Sequence, residues 1–409
     1  MQTKLSTSER ASPEGREAER ILRACVHCGF CNATCPTYQV LGDELDGPRG
    51  RIYLIKQLLE GGEVGANTRL HLDRCLTCRA CETTCPSGVE YAHLLDIGRQ
   101  RIATRAGQRG WLDMLKRYCL ARVLPRSVLF TPLLRIGQGL RPFLPGRLRR
   151  RIPARVRTAP YIGDGTVRTR RMLLLEGCVQ PALAPAINAR AQSLLAGLGI
   201  DLLSLPEAGC CGAVSHHLDD HDQALSYMRR NIDAWWPLLQ SGAEAIISTA
   251  SGCGLEIREY GWLLREDPEY ADKAGLVSER VRDLAEVLAR EAEGRLRPAT
   301  GIPLRIAFQS PCTLQHGLGL NGVVESLLGR AGFELTAVAD AHLCCGSAGT
   351  YSLTQTDISK RLREDKLRCL QAGAPKMIAT ANIGCLTHLA TESPVPVRHW
   401  VELLSLEMD

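Results

Sequence analysis

The sequence contains no segment long and apolar enough to span a bilayer. Its longest uncharged stretch, Ile306 to Val324, is interrupted by Gln309, Pro311 and Asn321, whereas a transmembrane helix needs about 20 mostly apolar residues. Residues 1–20 are polar and charged and lack the apolar region of a signal peptide. We therefore expect a protein of the reducing cytoplasm, and both absences are compatible with contact at a membrane surface.

The sequence contains one glycine pattern typical of nucleotide-binding sites, but this pattern does not directly follow a predicted strand. Gly317, Gly319 and Gly322 follow the pattern Gly-x-Gly-x-x-Gly before a predicted helix. In a dinucleotide site this pattern begins directly after a strand. Here the preceding strand is expected to end near Phe308, and Cys312 occupies the position where the phosphate turn should start. These glycines are therefore expected to serve turns and packing, and no flavin or nucleotide site is predicted.

Cysteine, in contrast, is abundant, with 18 in 409 residues. Eight of them form two runs of identical spacing, Cys-x2-Cys-x2-Cys-x3-Cys-Pro, made by Cys25, Cys28, Cys31 and Cys35 and by Cys75, Cys78, Cys81 and Cys85. In two-cluster ferredoxins with this spacing, three cysteines of a run hold one [4Fe-4S] cluster and the fourth holds the other. Zinc is the alternative for such pairs, but two identical fourfold runs, each closed by Cys-Pro, favour iron.

The runs predict two metal sites with crossed ligation. Site 1 comprises Cys25, Cys28, Cys31 and Cys85, and site 2 comprises Cys75, Cys78, Cys81 and Cys35. A helix is predicted between the runs, from Arg49 to Glu60, with Asp46 as its cap and Ile52, Ile55, Leu58 and Leu59 on one face. We therefore expect a helical ferredoxin domain over residues 1–106, in which the residues before about residue 19 form a mobile arm.

Residues 107–165 are predicted to form a basic amphipathic connector. Thirteen arginines and lysines and a single acid, Asp113, lie between Arg109 and Arg157, with leucine, phenylalanine and tryptophan among them. Basic and apolar residues together favour contact with an anionic membrane surface or with a partner. The alternative is a helix pair whose apolar face packs on its own protein. Nucleic acid is disfavoured because no nucleic-acid module accompanies the basic residues.

The remaining sequence alternates between strand and helix patterns, twice over. The predicted strands are Met172–Leu175, Ile200–Leu205, Ala245–Thr249, Leu304–Phe308, Phe333–Val338 and Met377–Thr380. The predicted helices are Ala184–Leu198, Asp219–Gln240, Val323–Ala331 and Asp357–Ala372. This alternation predicts two α/β domains with mostly parallel sheets, over residues 166–295 and 302–409. The complete fold class is therefore α + α/β.

Cysteines recur at matching positions in the two α/β domains. Cys178, Cys210 and Cys211 match Cys312, Cys344 and Cys345 at a constant offset, and Cys253 matches Cys385 after a two-residue deletion. Because loops at the carboxyl ends of neighbouring parallel strands converge, each domain is expected to hold a cofactor, an iron–sulfur cluster or zinc, through its four cysteines. Buried structural cysteines are the alternative. Cys119 and Cys369 receive no role, and His216, His217 and His221 are expected at the surface or supporting the first set.

The chain resembles the iron–sulfur subunits of bacterial glycolate oxidase, on residues 24–31, 42–54, 231–237, 251–254 and 343–351. The Cys-Cys-Gly repeats also resemble those of heterodisulfide reductase, in which the last cysteine of each repeat belongs to a Cys-x2-Cys pair. Here Glu256 and His388 stand at the positions of the extra cysteines. The departure leaves four thiols per repeat, so a conventional cluster and zinc both remain open.

The resemblance implies an electron-transfer subunit of a complex that oxidises glycolate to glyoxylate. FAD and the substrate site would lie on partner subunits, so no catalytic residue is expected on this chain. Electrons would pass to a membrane acceptor, a quinone, at the cytoplasmic face of the bacterial inner membrane, where the protein would be peripheral. The alternatives are the related lactate or glycerol-3-phosphate dehydrogenases, or Cys-Cys-Gly repeats that themselves reduce a disulfide or quinone.

Overall fold

The computed structural model describes residues 1–63, 65–105, 109–156, 158–159, 161–163, 165–166 and 168–407, with the side chains of 147, 148 and 151 left out. The chain divides into two compact units. The first contains Met1–Leu115 and Asp340–Lys366, and the second contains Lys116–Ala339 and Leu367–Asp409. The domain boundaries predicted from the sequence stay predictions.

The first unit is helical in its described residues. Its helices are Thr7–Ala11, Pro13–Ala24, Phe30–Ala33, Pro36–Leu41, a 3-10 turn Glu44–Asp46, Pro48–Leu59, Ala66–Asp73, Ala80–Thr83, Tyr91–Arg105 and Tyr351–Thr354. Two further helices, Trp111–Val123 and Thr356–Gln371, continue from the first unit into the second. Helix Pro48–Leu59 buries Ile52, Ile55, Leu58 and Leu59, which confirms the apolar face expected between the cysteine runs.

The prediction of a mobile arm before residue 19 is wrong. Ser6 accepts a hydrogen bond from the backbone N–H of Glu9 and begins one helix, and Ser12 accepts one from Gly15 and begins the next. The buried carboxylate of Glu9 pairs with Arg105 at 2.8 Å and with Arg101 at 3.2 Å. Serine caps and this ion-pair network hold the segment against the helix Tyr91–Arg105.

The second unit contains ten described strands: β1 Arg170–Leu175, β2 Ile200–Ser204, β3 Ile246–Ser248, β4 Val281–Asp283, β5 Leu296–Pro298, β6 Arg305–Gln309, β7 Glu334–Leu335, β8 Met377–Thr380, β9 Val397–His399 and β10 Leu404–Leu406. Two four-stranded parallel sheets have the orders β2-β1-β3-β4 and β7-β6-β8-β9. Strands β5 and β10 form an antiparallel pair. The α + α/β class and the repeat are therefore confirmed.

Helices alternate with these strands. They are Gln180–Leu183, Ala186–Gly197, Ala213–His217, His221–Gln240, Ser251–Arg258, Tyr260–Leu263, Ala271–Arg280, Leu284–Glu291, a π-helix Thr313–Gly317, Val323–Arg330, Ile383–Ala390 and a 3-10 turn Trp400–Leu403. One hydrophobic core joins the two sheets and includes Met172, Leu174, Ile306, Phe308 and Trp400. The equivalent orders of the two sheets place equivalent loops at the carboxyl ends of their central strands.

The connector forms the helix Ser127–Leu140, the 3-10 turn Arg141–Phe143 and the helix Gly146–Arg151, after Trp111–Val123. Helix Ser127–Leu140 has no buried residue among those described. Val128, Leu129, Leu133, Ile136 and Leu140 are exposed on it. Among the described residues, no helix has both the length and the apolar character that crossing a membrane requires.

Candidate metal centres

The two ferredoxin-type runs share an unusual backbone. His27 and Gly29 have φ of +59° and +84°, and the equivalent Thr77 and Arg79 have φ of +51° and +59°. Left-handed residues at alternate positions curl each run tightly around one point, and the short helices Phe30–Ala33 and Ala80–Thr83 follow. This conformation is disfavoured for residues other than glycine, so three of these four positions adopt it at an energetic cost where the cysteines converge.

Site 1 surrounds a cavity that is partly open to solvent. Its lining includes all four cysteines predicted for this site, Cys25, Cys28, Cys31 and Cys85. The second run therefore supplies Cys85 to the cysteines of the first run. Cys28 is exposed, and Val26 and Phe30 beside it are 67% and 60% exposed, so this site lies close to solvent.

Site 2 surrounds a neighbouring cavity, also partly open to solvent. Its lining includes Cys35, Cys75, Cys78 and Cys81, again the predicted set. Cys81 and Tyr91 line both cavities, so the two sites are adjacent. The structure thus brings together the cysteines that crossed ligation requires, and ligation itself stays a prediction.

The thiol chemistry of both cavities fits a bound cationic centre. Burial, together with the neighbouring Cys25, Cys28 and Cys85, raises the pKa of Cys31 to about 11. Burial also raises the pKa of Cys81 well above its ordinary value. A metal centre would keep such thiols ionised and relieve the repulsion between them. The two cavities, each lined by the four thiols predicted for its site, therefore fit two [4Fe-4S] clusters.

A buried polar network lies beside site 2. Asp46 is fully buried. Its carboxylate accepts a hydrogen bond from Arg74 at 2.8 Å and lies 3.0 Å from Nδ1 of His71. Arg51, which is 1% exposed, donates to the carbonyl of His71 at 2.8 Å and to the Thr37 hydroxyl at 3.1 Å. Asp46 was expected to cap a helix, but the cap is Gly47. The carboxylate instead balances buried cations.

The first Cys-Cys-Gly repeat brings its four cysteines together. Cys178 follows β1, Cys210 and Cys211 follow β2, and Cys253 follows β3, which are three neighbouring strands. Hydrogen bonds from Cys178 and Cys211 hold the pKa of Cys210 well below its ordinary value. The bond to Cys210, together with burial, raises the pKa of Cys178. Four linked and largely buried thiols form a candidate centre, named here the first Cys-Cys-Gly site.

The loop that carries Cys210 and Cys211 is clamped by two buried side chains. Asn231 accepts from the N–H of Gly209 at 2.9 Å and donates to the carbonyl of Cys210 at 2.9 Å. The Tyr260 hydroxyl donates to the carbonyl of Cys211 at 2.7 Å and receives a hydrogen bond from Asn231. Sequence reasoning assigned no role to Asn231 or Tyr260.

Glu256 is not directed at this site as a free ligand. Its buried carboxylate lies 2.8 Å from Nδ1 of His216. Burial alone would raise its pKa, but His216 and His217 outweigh burial and the pKa of Glu256 is lowered. His216 also stacks on His217 and meets His221 edge-on. The residue at the position of the missing cysteine is therefore an ionised carboxylate held by histidine.

The second set of cysteines is divided between the two compact units. Cys344 and Cys345 belong to the first unit, and Cys312 and Cys385 to the second; all four are buried. Gly346 has φ of +85° and donates its N–H to the sulfur of Cys344 at 3.4 Å, as Gly212 with φ of +98° does to Cys210 at 3.5 Å. The loops of the two repeats therefore share one conformation, and the shared site of the second set stays a prediction.

The glycines of the Gly-x-Gly-x-x-Gly pattern have packing and turn roles. A side chain at Gly317 would meet Leu255 at 2.4 Å, and Gly319 and Gly322 have φ of +72° and +78°. Gly322 begins the helix Val323–Arg330.

Comparison with known families matches both halves of this architecture. Residues 21–89 match the 4Fe-4S dicluster domain, and residues 172–258 and 306–390 each match the Cysteine-rich domain. The glycolate oxidase iron–sulfur subunit of Escherichia coli (strain K12) is 53% identical over 410 residues, covering 100% of both chains. The chain belongs to the glycolate oxidase iron–sulfur subunit family.

Other relatives of this family member are more distant. The probable glycolate oxidase iron–sulfur subunit of Bacillus subtilis (strain 168) is 29% identical over 91% of this chain and 89% of the relative. Lactate utilization protein A of Bacillus licheniformis is 25% identical over 56% of this chain and 96% of the relative. A crystal structure of a hypothetical protein from Helicobacter pylori has the same fold, with a TM-score of 0.52 and 10% sequence identity. The match covers 96% of this chain and 71% of the Helicobacter pylori chain. The two matched domains indicate that this family member binds iron–sulfur clusters.

Proposed function

We propose that this chain is the iron–sulfur electron-transfer subunit of a complex that oxidises glycolate to glyoxylate. The observation that carries the proposal is the pair of adjacent cavities, each lined by all four cysteines predicted for its site, in a chain similar over its whole length to the E. coli subunit. When bound, iron–sulfur clusters supply one-electron transfer. The cysteines would hold them, and the surrounding helices would bury them.

The complex needs a second kind of subunit. Oxidation of a 2-hydroxy acid removes two electrons, and a flavin can accept a pair and release the electrons singly. We assign FAD and the glycolate site to partner subunits, so this chain has no catalytic residue in the proposal. Site 1, with exposed Cys28, lies close to solvent, which suits electron entry from such a partner.

We propose an onward route from site 2 to the second Cys-Cys-Gly loop, within the first unit. The buried Tyr351 donates its hydroxyl to the carbonyl of Arg74, next to Cys75, at 3.0 Å. Burial raises the pKa of Tyr351, and the charges of both Cys75 and Cys344 raise it further. Tyr351 is therefore within electrostatic range of both cysteines. We propose that electrons leave site 2 in this direction.

We further propose that each Cys-Cys-Gly repeat holds a metal centre, and that it is an iron–sulfur cluster. The support is the four linked thiols of the first Cys-Cys-Gly site. A redox centre fits beside a ferredoxin pair, whereas zinc has no redox chemistry. Because Glu256 is held by His216, the donor set in the first repeat is four thiols, which would also suit a tetrahedral zinc ion.

The location we propose is peripheral, at the cytoplasmic face of the inner membrane, with quinone as the acceptor. Leu129, Leu133, Ile136 and Leu140 are spaced along one face of the helix Ser127–Leu140, and all are exposed. No aspartate or glutamate occurs from residue 114 to 163. An apolar helix face flanked by arginines suits an anionic bilayer surface.

Vesicle flotation tests this location. The protein should float with anionic vesicles and remain unbound with neutral phosphatidylcholine vesicles. Changing Arg149, Arg150 and Arg151 to glutamate should abolish flotation, and so should 1 M salt, at which the Debye length is about 3 Å. Unchanged flotation of the triple variant would contradict the membrane role and leave partner docking or packing on its own protein as the role of this segment.

Glycolate-dependent reduction tests the function. Anaerobic chain mixed with its flavoprotein partners should lose its visible iron–sulfur absorbance when glycolate is added, and the chain alone should not. Bleaching of the isolated chain would place the substrate site on it. Lactate is the second substrate to test, since one relative is a lactate utilization protein. Reduction by lactate and not by glycolate would overturn the substrate assignment.

A further inference from the structure

The two ferredoxin-type sites differ in the charges around them. Cys35, Cys75 and Cys81 of site 2 are all buried, and Arg51 lines the same cavity. Site 1 has exposed Cys28, and Arg49 lines its cavity. The Arg51 side chain is 1% exposed, whereas that of Arg49 is 36% exposed and pairs with Glu44 at 2.6 Å. An arginine side chain therefore lines each site, but the one at site 2 is shielded from solvent and the one at site 1 is exposed to it.

The charge of Arg51 is incompletely neutralised by its nearest acid. Asp46 lies 3.5 Å from Arg51 but 2.8 Å from Arg74 and 3.0 Å from His71. One carboxylate thus serves two arginines, and the buried group retains net positive charge. Burial works against the charge of Arg51, but Cys75, Tyr91, Cys35 and Asp46 outweigh burial and raise the pKa of Arg51. Arg51 therefore remains a cation beside the thiols.

Two neutral groups also contact sulfurs of site 2. The Tyr91 hydroxyl donates to the sulfur of Cys75 at 3.7 Å, and Tyr91 is 4% exposed. The Thr37 hydroxyl, which accepts from Arg51, lies 3.3 Å from the sulfur of Cys35. Charge, hydrogen bonds to sulfur and solvent exposure are the factors that set cluster potentials.

We propose that Arg51 and Tyr91 are positioning residues that raise the reduction potential of the cluster at site 2. Burial by itself favours the less negative, oxidised form of a cluster and lowers its potential. A buried cation and a hydrogen bond to sulfur stabilise the additional electron and offset this loss. The raised potential of site 2 keeps electron transfer from site 1 to site 2 from becoming unfavourable in free energy. In that step one electron leaves the site 1 cluster, which is oxidised, and enters the site 2 cluster, which is reduced, with no bond or proton exchanged.

The inference rests on the proposed function, because it requires both clusters. The test is an EPR-monitored redox titration of the anaerobically purified chain. Cys28→Ser and Cys78→Ser variants identify which signal belongs to which site, because these two cysteines belong to different sites whether or not the ligation is crossed. Arg51→Met removes the charge at similar length and leaves Asp46 paired with Arg74 and His71. It should lower the midpoint potential of the site 2 cluster and leave that of site 1 unchanged.

Three further variants sharpen the test. Tyr91→Phe removes one hydroxyl and should lower the same midpoint by less, and it keeps the test decisive if Arg51→Met fails to fold. Arg51→Lys retains the charge and should restore most of the potential. Arg49→Met is the matched control, and its smaller shift should fall on site 1, because solvent screens an exposed charge.

The outcomes separate this inference from the function. Two outcomes would overturn the tuning role alone. One is an equal shift of both midpoint potentials. The other is that neither Arg51→Met nor Tyr91→Phe shifts a midpoint potential although the iron content stays at the wild-type value. A purified chain that shows no cluster signal would overturn the proposed function as well.

Discussion

Replacement of Asn231 by leucine should weaken both the second unit and its metal centre. The Asn231 side chain is fully buried and makes three hydrogen bonds, to Gly209 N, Cys210 O and the Tyr260 hydroxyl, at 2.9, 2.9 and 3.2 Å. Leucine has a similar volume and replaces none of them. At about 1 kcal/mol for each hydrogen bond, the loss is about 3 kcal/mol, and more if the backbone groups stay unsatisfied.

Thermal unfolding and metal analysis of the anaerobic protein measure the two effects. A loss of about 3 kcal/mol corresponds to roughly 6–12 °C in a unit of this size. The freed Cys-Cys-Gly loop should also lower the metal bound at the first Cys-Cys-Gly site. Ser278→Ala is the control. The Ser278 hydroxyl accepts a hydrogen bond from the N–H of Gly261 at 2.9 Å and donates one to the carbonyl of Ile257 at 3.1 Å, and neither partner adjoins a cysteine.

The control should lose stability and keep its metal. Equal metal content in the two variants would refute the view that Asn231 holds the ligand loop in place. A change of less than about 1 kcal/mol for Asn231→Leu would refute the accounting of its hydrogen bonds.

The other predictions concern ligation, backbone and pH. Cys35→Ser should perturb the cluster otherwise held by Cys75, Cys78 and Cys81, and EPR changes confined to the cluster of Cys25, Cys28 and Cys31 would show that the ligation is not crossed. Gly346→Ala should lower the melting temperature more than Gly212→Ala. The Cβ added at Gly346 would lie 2.6 Å from the carbonyl oxygen of Ser359, whereas the Cβ added at Gly212 would lie 3.1 Å from the carbonyl oxygen of Ala224. A larger loss of melting temperature in Gly212→Ala would contradict this explanation. Burial raises the pKa of Asp283 to about 7, so the stability contribution of this carboxyl is present near pH 4 and lost as the pH rises through 7. Asp283→Asn should therefore stabilise the protein at pH 8, by at most about 4 kcal/mol, and should not stabilise it near pH 4. Urea unfolding at the two pH values measures this difference. An equal gain in stability at both would show that the charge of the Asp283 carboxylate is not the cause.

The cysteine spacing predicted most of what the structure assembles at the two ferredoxin-type sites. A fixed spacing around a cluster determines which thiols must meet, so Cys85 and Cys35 could be assigned across the two runs. The strand–helix alternation likewise predicted both parallel sheets, since buried strands such as Met172–Leu175 are short apolar runs. Strands β4, β5, β9 and β10 were missed because each has three residues with a polar residue at the centre, and so contains no apolar run.

The residues around the sites were not predictable in the same way. Asp46 has the sequence context of a helix cap, and only tertiary packing shows that it binds Arg74 and His71 instead. Arg51 sits on a helix face that the sequence cannot distinguish from a solvated one. The N-terminal helices were missed although Ser6 and Glu9 have the spacing of a capping box, a signal that could have been used.

Metal analysis of the full chain, purified without oxygen, tests the central claim most directly. The account predicts iron well above ~8 per chain, from two [4Fe-4S] clusters and further clusters in the Cys-Cys-Gly repeats. Iron near ~8 with about two zinc ions would keep the ferredoxin sites and assign zinc to the repeats. Iron near ~8 with no other metal would leave the repeat cysteines structural. Zinc alone, without iron, would contradict the account entirely.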